Sequence, residues 1–312
     1  MTEPLTRRAP DRTWLVACAA ALWGTDGLLR KPLADVLPAA SVVFWEHVII
    51  VAVLLPFVPS ALRAFVAATG RQQAALVAIG VGASAVATAL FTAAFRLGGP
   101  ITPLVLQKLQ PVFAVLAAYL LLRERLRPGY FVFAVPALAG AWLLAFRDPL
   151  SVQVAAAKAA LLALGAAGLW AGGTVLGRMV AVSMSPRDVT VLRFVFGLPA
   201  AAVVLQLTHA RLAVGWDNAT GLVLLALIPG LLALSLYYIG LRATPASRAT
   251  LAELAFPVTA ALVGVGLLGA RLTWTQWLGF AVVVVSVTAL GWHERVRSAR
   301  PMVLAPPAPA AA

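Results

Sequence analysis

Three polar side chains interrupt a long apolar stretch of the sequence. Gln107, Lys108 and Gln110 lie within the run Ile101–Leu122, which is long enough to cross a bilayer as a helix. A lysine at the centre of a membrane helix costs about 2.5–3.5 kcal/mol, so Lys108 should face a wet cavity or another helix. We interpret these three residues as candidates for binding a polar solute near the membrane midplane. The alternative for Lys108 is a fixed ion pair with Glu46 or Glu253.

Ionisable residues also occur in two other apolar runs. Glu46 and His47 are adjacent in one run, and Arg193 lies in another. Histidine titrates nearest to neutral pH, so Glu46, His47 and Arg193 are candidates for a proton or cation coupling site. The alternative for Glu46 and His47 is structural pairing between helices. For Arg193 it is a structural ion pair or snorkelling toward the interface.

Three aromatic residues and one aspartate are further substrate-binding candidates. Trp23 and Asp26 are three residues apart and share one helical face, so both are predicted to contact solute. The alternative for Asp26 is a cap or ion-pair partner near the outer end of the helix, beside Arg30. Trp170 and Tyr238 are further substrate-binding candidates, with packing as their alternative.

The composition restricts the protein class. The chain has 312 residues, of which 62% are hydrophobic and 11% are charged, too few to form the polar surface of a soluble protein. The net charge of +13 does not predict nucleic-acid binding, because the arginines lie singly between apolar runs. Cys18 is the only cysteine and fits as a small hydrophobe. No enzyme or ATP-binding motif is present, so we expect no catalytic residue, no metal, no cofactor and no enzymatic activity.

The apolar runs predict an all-α membrane protein with ten transmembrane helices. The predicted spans are Trp14–Leu29, Ala39–Val58, Gln73–Phe95, Ile101–Leu122, Pro128–Phe146, Val154–Leu176, Val189–Thr208, Ala219–Gly240, Ala249–Leu268 and Thr273–Trp292. Residues 1–12 are expected to form a cytoplasmic tail, 148–153 a linker, and 293–312 a disordered basic and Pro/Ala-rich tail. With both termini cytoplasmic, Lys and Arg favour that side by about two to one, as the positive-inside rule requires.

The two halves, 13–147 and 154–292, resemble each other at a shift of 146–147 residues. Trp23 corresponds to Trp170, Pro111 to Pro257, and Gln107 to Glu253. Five spans is an odd number, so the second half would be inverted relative to the first, as in many secondary transporters with a site at the repeat interface. Glu253 is therefore also predicted to bind substrate, and it is one candidate partner for Lys108.

The sequence resembles the EamA-type members of the drug/metabolite transporter superfamily. The motifs that carry the resemblance are Leu22-Trp23-Gly24, Gln110-Pro111, Leu122-Arg123-Glu124-Arg125-Leu126 and Ala243-Thr244-Pro245-Ala246. The family implies two inverted five-helix repeats and export of small metabolites or amino acids across an inner membrane. One departure is Glu46, where the family often has an arginine.

These inferences combine into one functional prediction. The chain is predicted to be a multi-pass inner-membrane secondary transporter that exports a small polar or amphipathic metabolite, such as an amino acid, by alternating access. Protons are a candidate coupling ion, and the lipid bilayer is the surrounding partner. A multidrug or nucleotide-sugar carrier is the alternative, followed by a non-transport membrane protein. The oligomeric state stays open, a homodimer included.

Overall fold

The computed structural model describes residues 12–98, 101–122, 129, 131–146, 148–150, 154–180, 184–241, 252 and 255–298. These residues are helical or irregular, and no strand occurs among them. The helices are α1 (Thr13–Gly24), α2 (Asp26–Val36), α3 (Ala39–Leu54), α4 (Val58–Ala67), α5 (Gly70–Ala78), α6 (Ala87–Leu97), α7 (Ile101–Leu106), α8 (Gln110–Leu122), α9 (Phe131–Ala145), α10 (Val154–Val180), α11 (Pro186–Leu207), α12 (Ala219–Leu225), α13 (Ala233–Leu241), α14 (Ala255–Gly266) and α15 (Trp274–Ser298).

Several of these helices join into segments long enough to cross a membrane. Within the described residues, five segments meet the requirement for length and apolar composition. They are Ala39–Ala67, Gly70–Leu97, Val154–Gly177, Pro186–Leu207 and Trp216–Tyr237. Shorter apolar helices occur at Phe131–Leu144, Ala255–Gly266 and Trp274–Ser286. Large apolar side chains such as Trp142, Leu161 and Leu262 are exposed on the outside of the bundle, as expected for a surface that contacts lipid.

Two π-helical segments interrupt the bundle at corresponding positions. One, Ile79–Val86, joins α5 to α6, and the other, Ala226–Leu232, joins α12 to α13. The starts of these segments are separated by the same shift of 147 residues that relates Trp23 to Trp170. Wide π turns leave carbonyl oxygens available to other groups, and they often lie at functional sites.

The helices pack in pairs that correspond between the two halves. Helix α1 of the first half packs against α13 and α14 of the second half. Correspondingly, helix α10 of the second half packs against α6 and α8 of the first half. Two further large contacts, α3 with α11 and α9 with α15, each join a helix to its own counterpart in the other half. The α9–α15 contact is close, because a Cβ atom on Gly279 would lie 2.6 Å from the carbonyl oxygen of Gly140. An exchange of the two halves therefore preserves these helix pairs.

The first apolar segment is longer than the sequence predicts. Helix α1 ends at Gly24, and after a break at Thr25 helix α2 continues through Arg30 and Pro32 to Val36. The prediction that this span ends at Leu29 is wrong, because the helix continues to Val36. Arg30 is 3% exposed and is fully compensated inside the protein, so the helix does not have to end there. At the other end of the chain, α15 continues six residues past Trp292 to Ser298.

Candidate functional site

A buried ionic network centred on Arg30 joins three helical segments. Arg30 donates from Nε and Nη2 to the two carboxylate oxygens of Asp26, at 2.6 and 2.9 Å. It donates from Nη1 and Nη2 to the carboxylate of Glu46 in α3, at 3.2 and 3.3 Å. A second Nη1 bond of 2.8 Å reaches Oγ1 of Thr92 in α6, which in turn donates to the carbonyl of Thr88. The five N–H groups of the guanidinium thus have five acceptors.

Local sequence explains how the network forms. The break at Thr25 makes Asp26 the first residue of α2, where a carboxylate is favoured by the helix dipole. Arg30 follows four residues later, on the same helix face. Asp26, Glu46 and Thr92 are 7%, 5% and 0% exposed, so the ions are removed from solvent. Ion pairs in such a place contribute little net stability when complete, but removal of one member is costly.

His47 points away from this network. Its Nδ1 lies 2.8 Å from the carbonyl oxygen of Val43, and its Nε2 lies 2.9 Å from Oγ of Ser84 in the first π-helical segment. A carbonyl can only accept, so Nδ1 carries a proton, and a neutral ring then accepts at Nε2 from the serine hydroxyl. The ring also meets Phe194 of α11 edge-on, with centroids 5.4 Å apart. These contacts are those of a buried residue that joins three helices.

Arg193 and Glu46 occupy corresponding positions in the two halves and contact corresponding π-helical segments. Nη2 of Arg193 donates to the carbonyl oxygen of Ala83 at 3.0 Å. Glu46 lies against Gly230, where an added Cβ would be 3.6 Å from Oε1. Ala83 and Gly230 are themselves related by the shift of 147. The charges, however, are opposite in the two halves, and the positions matching Asp26 and Arg30 are Gly173 and Gly177.

The two related tryptophans lie in one aromatic cluster. Trp23 donates from Nε1 to the carbonyl of Pro229 at 3.0 Å, and its ring centroid is 5.0 Å from that of Tyr237. Trp170 meets Phe91 at 5.1 Å, and both tryptophans pack against a core that contains Phe256. Gly24 allows this approach, since a Cβ there would lie 2.7 Å from the carbonyl oxygen of Phe256.

Lys108 points into the same cluster. Its Nζ lies 3.9 Å from the centroid of the Phe256 ring, a distance suitable for a cation–π contact. The residue sits in a 3-10 turn, Gln107–Leu109, directly before the helix that contains Pro111. Lys108 thus faces another helix, α14, which contains Phe256.

The two glutamines of this segment lie near it. Gln110 donates to Oγ1 of Thr174 in α10 at 3.4 Å, and Gln107 is half-buried. Thr174 in turn donates to the carbonyl oxygen of Trp170 at 3.0 Å, which places Gln110 on the Trp170 side of the cluster.

Phe91 connects the aromatic cluster to the ionic network. The Arg30 guanidinium carbon lies 5.7 Å from its ring centroid, on a residue that also contacts Trp170. The structure thus brings together Trp23, Trp170 and Lys108, and it brings Asp26 and Glu46 together around Arg30. Glu253 and the side chain of Tyr238 lie outside the described residues, so their predicted roles stay predictions.

A cavity lies elsewhere, on the flank of the bundle. It has a volume of about 340 Å³ and is lined by Leu90, Leu97, Lys158, Leu161 and Leu162. The candidate residues pack against one another and do not line this cavity. In the part of the chain described, no group of three or more His, Cys, Asp or Glu side chains is arranged to hold a metal ion.

Sequence reasoning named Arg30 only in the alternative for Asp26, as a neighbour with which it could pair, and it missed two further participants. The spacing of four residues between Asp26 and Arg30 favours an intrahelical ion pair, which the structure contains. Thr92 and the Pro229 carbonyl cannot be recognised from the sequence as hydrogen-bond partners. A single threonine or a backbone oxygen indicates no partner until the neighbouring helix is known.

Comparison with known proteins identifies the family. The model of the EamA-like transporter family matches residues 13–146 and again 157–292. The riboflavin transporter ImpX of Fusobacterium nucleatum is 30% identical over 296 residues, which cover 88% of this chain and 95% of that protein. The uncharacterized transporter YwfM of Bacillus subtilis is 31% identical over 189 residues, covering 59% of this chain. That match spans only 62% of the length of YwfM, less than two thirds.

A solved structure supports the fold. A crystal structure with 22% sequence identity superposes with a TM-score of 0.58 and covers 93% of this chain and 99% of its own. The double match of the family model agrees with the two corresponding sets of packing helices described above. The chain belongs to the EamA-like transporter family and is a multi-pass membrane protein.

Proposed function

We propose that this protein is a secondary transporter that exports a small polar or amphipathic metabolite across the cell membrane by alternating access. The observation that carries the proposal is the meeting of Trp23 and Trp170, one from each half, at a single aromatic cluster beside Lys108. A transporter built from two repeats binds its solute where the repeats meet. Residues from both halves at one place satisfy that requirement.

The same proposal includes ten transmembrane helices in two inverted five-helix repeats, with both termini cytoplasmic. Support comes from the matched π-helical segments and from packing pairs that are preserved when the halves exchange. Helix pairs such as α9–α15, each joining a helix to its own counterpart, are expected beside a pseudo-twofold axis. Opposite orientation of the halves follows from five spans in each.

The binding site comprises residues of both halves. Trp23 and Trp170 supply apolar area, Lys108 supplies a positive charge, and Gln107 and Gln110 supply hydrogen bonds; Tyr238 and Glu253 are included from the sequence. Asp26 was expected to contact solute, but its carboxylate is occupied by Arg30. The amphoteric character that favours an amino acid or a related zwitterion therefore rests on Lys108 and Glu253. A multidrug or nucleotide-sugar carrier is the alternative within the family.

An aromatic solute is a second candidate. ImpX is named as a riboflavin transporter, and riboflavin carries a planar ring system. The cluster of Trp23, Trp170, Tyr237 and Phe256 offers ring faces and edges that suit such a solute.

Uptake into vesicles tests both candidates. Purified protein in proteoliposomes should accumulate at least one probe from a panel of radiolabelled amino acids, riboflavin, ethidium and a labelled nucleotide sugar. Trp170→Ala should reduce that uptake at least tenfold, whereas Trp14→Ala, at an exposed tryptophan on the outside of the bundle, should not. Equal uptake by the two variants would contradict the site, and uptake indistinguishable from empty vesicles for every probe would contradict the function.

A further inference from the structure

The ionic network around Arg30 contains one carboxylate more than a simple ion pair. It contains two carboxylates and one guanidinium, and it lies almost entirely out of solvent. With both carboxylates ionised, the three groups of the network carry a net charge of −1, and the nearby positive charge of Arg193 also acts on Glu46. Burial disfavours an ionised carboxylate, so one of the two carboxylates is a candidate to take up a proton.

We propose that the carboxyl group of Glu46 binds the proton that couples transport, with Arg30 as its fixed counter-ion. This inference rests on the proposed transport function and names its coupling site. The proton adds to one carboxylate oxygen of Glu46 from one side of the membrane and leaves from the same oxygen to the other side. One proton per network changes the net charge from −1 to 0.

The contacts distinguish the two carboxylates. Asp26 lies on the same helix as Arg30 and is held by two bonds of 2.6 and 2.9 Å. Glu46 belongs to a different helix, and its two bonds are 3.2 and 3.3 Å long. Charge-assisted bonds are strongest at the shorter distances. Protonation of Glu46 therefore weakens the hydrogen bonds to Arg30 less than protonation of Asp26 would.

No other group that faces Glu46 is as well placed to take the proton. Of its ionisable neighbours, Asp26 and Arg30 belong to the network, and His47 is engaged by Val43 and Ser84. Arg193 in α11 donates to Ala83 and cannot accept a proton. The opposing π-helical segment Ala226–Leu232 contains no ionisable residue. Thr92 contributes only its hydroxyl.

Glu46 also lies against the second half, so a change in its charge can act there. Its Oε1 faces Gly230 in the π-helical segment of the second half. The same segment contains Pro229, whose carbonyl accepts the bond from Trp23 of the aromatic cluster. A change of charge at Glu46 thus acts on a segment that contacts the proposed solute site, which is the linkage that coupling requires.

Proton binding can be measured without a solute. Infrared difference spectra of the purified protein between acid and alkaline buffers should show protonated-carboxyl bands, with a component from Glu46. Glu46→Gln keeps the size of the side chain and should remove that component. Asp217→Asn, at an exposed carboxylate, should retain it. Glu46→Asp should also retain a band, with an altered midpoint; this variant serves if Glu46→Gln does not fold, as judged by gel filtration.

Two results would overturn the assignment. One is a band of undiminished intensity in folded Glu46→Gln, and the other is no band in the wild type.

Vesicles loaded with a pH-sensitive dye then test coupling. On addition of a mixture of radiolabelled amino acids and riboflavin, the wild type should move protons with solute, and Glu46→Gln should move solute without protons. Proton movement with solute in Glu46→Gln contradicts the proposal. Solute movement without protons in the wild type leaves the transport function in place and removes the coupling site.

Discussion

The indole Nε1 of Trp23 donates a hydrogen bond to the carbonyl oxygen of Pro229, 206 residues later in the chain. The acceptor lies in a π-helical segment, where the irregular backbone leaves carbonyls available. This bond joins the first helix of one half to the interrupted helix of the other. It therefore links the first helix of one half to the π-helical segment of the other half.

Trp23→Phe should weaken this link while keeping an aromatic ring. The loss of one hydrogen bond costs about 0.5–1.5 kcal/mol, because the Pro229 carbonyl is left without this donor. We expect a lower midpoint of thermal unfolding in detergent. Trp14→Phe removes an indole from an exposed site and should leave the midpoint unchanged; equal effects of the two variants would show that the bond contributes nothing.

Arg30→Gln should strongly destabilise the protein. It leaves two carboxylates buried without their counter-ion, which costs about 3–5 kcal/mol. The triple variant Asp26→Asn, Arg30→Gln, Glu46→Gln removes every charge of the network and should recover much of that loss. Denaturant unfolding of both variants measures the difference.

Arg71→Gln, at an exposed arginine, is the control for the loss of a positive charge. If the triple variant were no more stable than Arg30→Gln, the unpaired charges would not be the cause of the instability.

Gly24→Ala should disturb the contact between α1 and α14. The new methyl group would lie 2.7 Å from both the Phe256 carbonyl oxygen and Cβ of Thr259, so the helices must separate. Overpacking of this kind costs about 1–3 kcal/mol. Gly168→Ala has no heavy atom within 4 Å and should be neutral or stabilising by up to about 1 kcal/mol. The order of the two melting temperatures tests the packing, and its reversal would contradict it.

Lys108→Met should reduce uptake of the accepted solute. The substitution keeps an unbranched side chain over Phe256 but removes the positive charge, and loss of about 1.4 kcal/mol corresponds to a tenfold weaker interaction. Lys158→Met removes a lysine from the flanking cavity and should leave uptake unchanged. Initial rates in proteoliposomes check the comparison. Full activity in Lys108→Met would remove this residue from the site.

The proposed orientation predicts which loops are accessible from outside the cell. In a Cys18→Ser background, a cysteine introduced at Asp217 should react with an impermeant thiol reagent in intact cells. A cysteine at Thr69 should react only after the membrane is opened, because the proposed orientation places this loop on the cytoplasmic side. The opposite labelling pattern would reverse the assignment of the termini.

Features repeated in the sequence could be predicted before the structure. Trp23 and Trp170 were related by their spacing alone, and the structure brings both to one cluster. An indole is rare enough in an alanine- and leucine-rich chain for its recurrence to be informative. Lys108 was expected to face inward from the cost of its exposure to lipid, and it lies over Phe256.

Features that depend on contacts between segments could not be predicted. Arg30 and Lys31 precede Pro32, a pattern typical of a helix end, so the predicted span ends before Arg30. The helix continues because Asp26, Glu46 and Thr92 together satisfy the guanidinium. Two of these partners come from other helices, and their proximity is a property of the fold. The π-helical segments, likewise, have no pattern in the sequence that marks them.

The glycines at positions 173 and 177, which correspond to Asp26 and Arg30, have an evolutionary consequence. If the chain arose by duplication of a five-helix ancestor, its two copies have since diverged: one copy has the Asp26–Arg30–Glu46 network, and the other has two glycines and Arg193 at the corresponding positions. A chimaera of two second halves would consequently form similar helices but lack that network. The duplicated architecture is therefore symmetric in its scaffold and asymmetric in its ionic chemistry, and the two copies are not interchangeable.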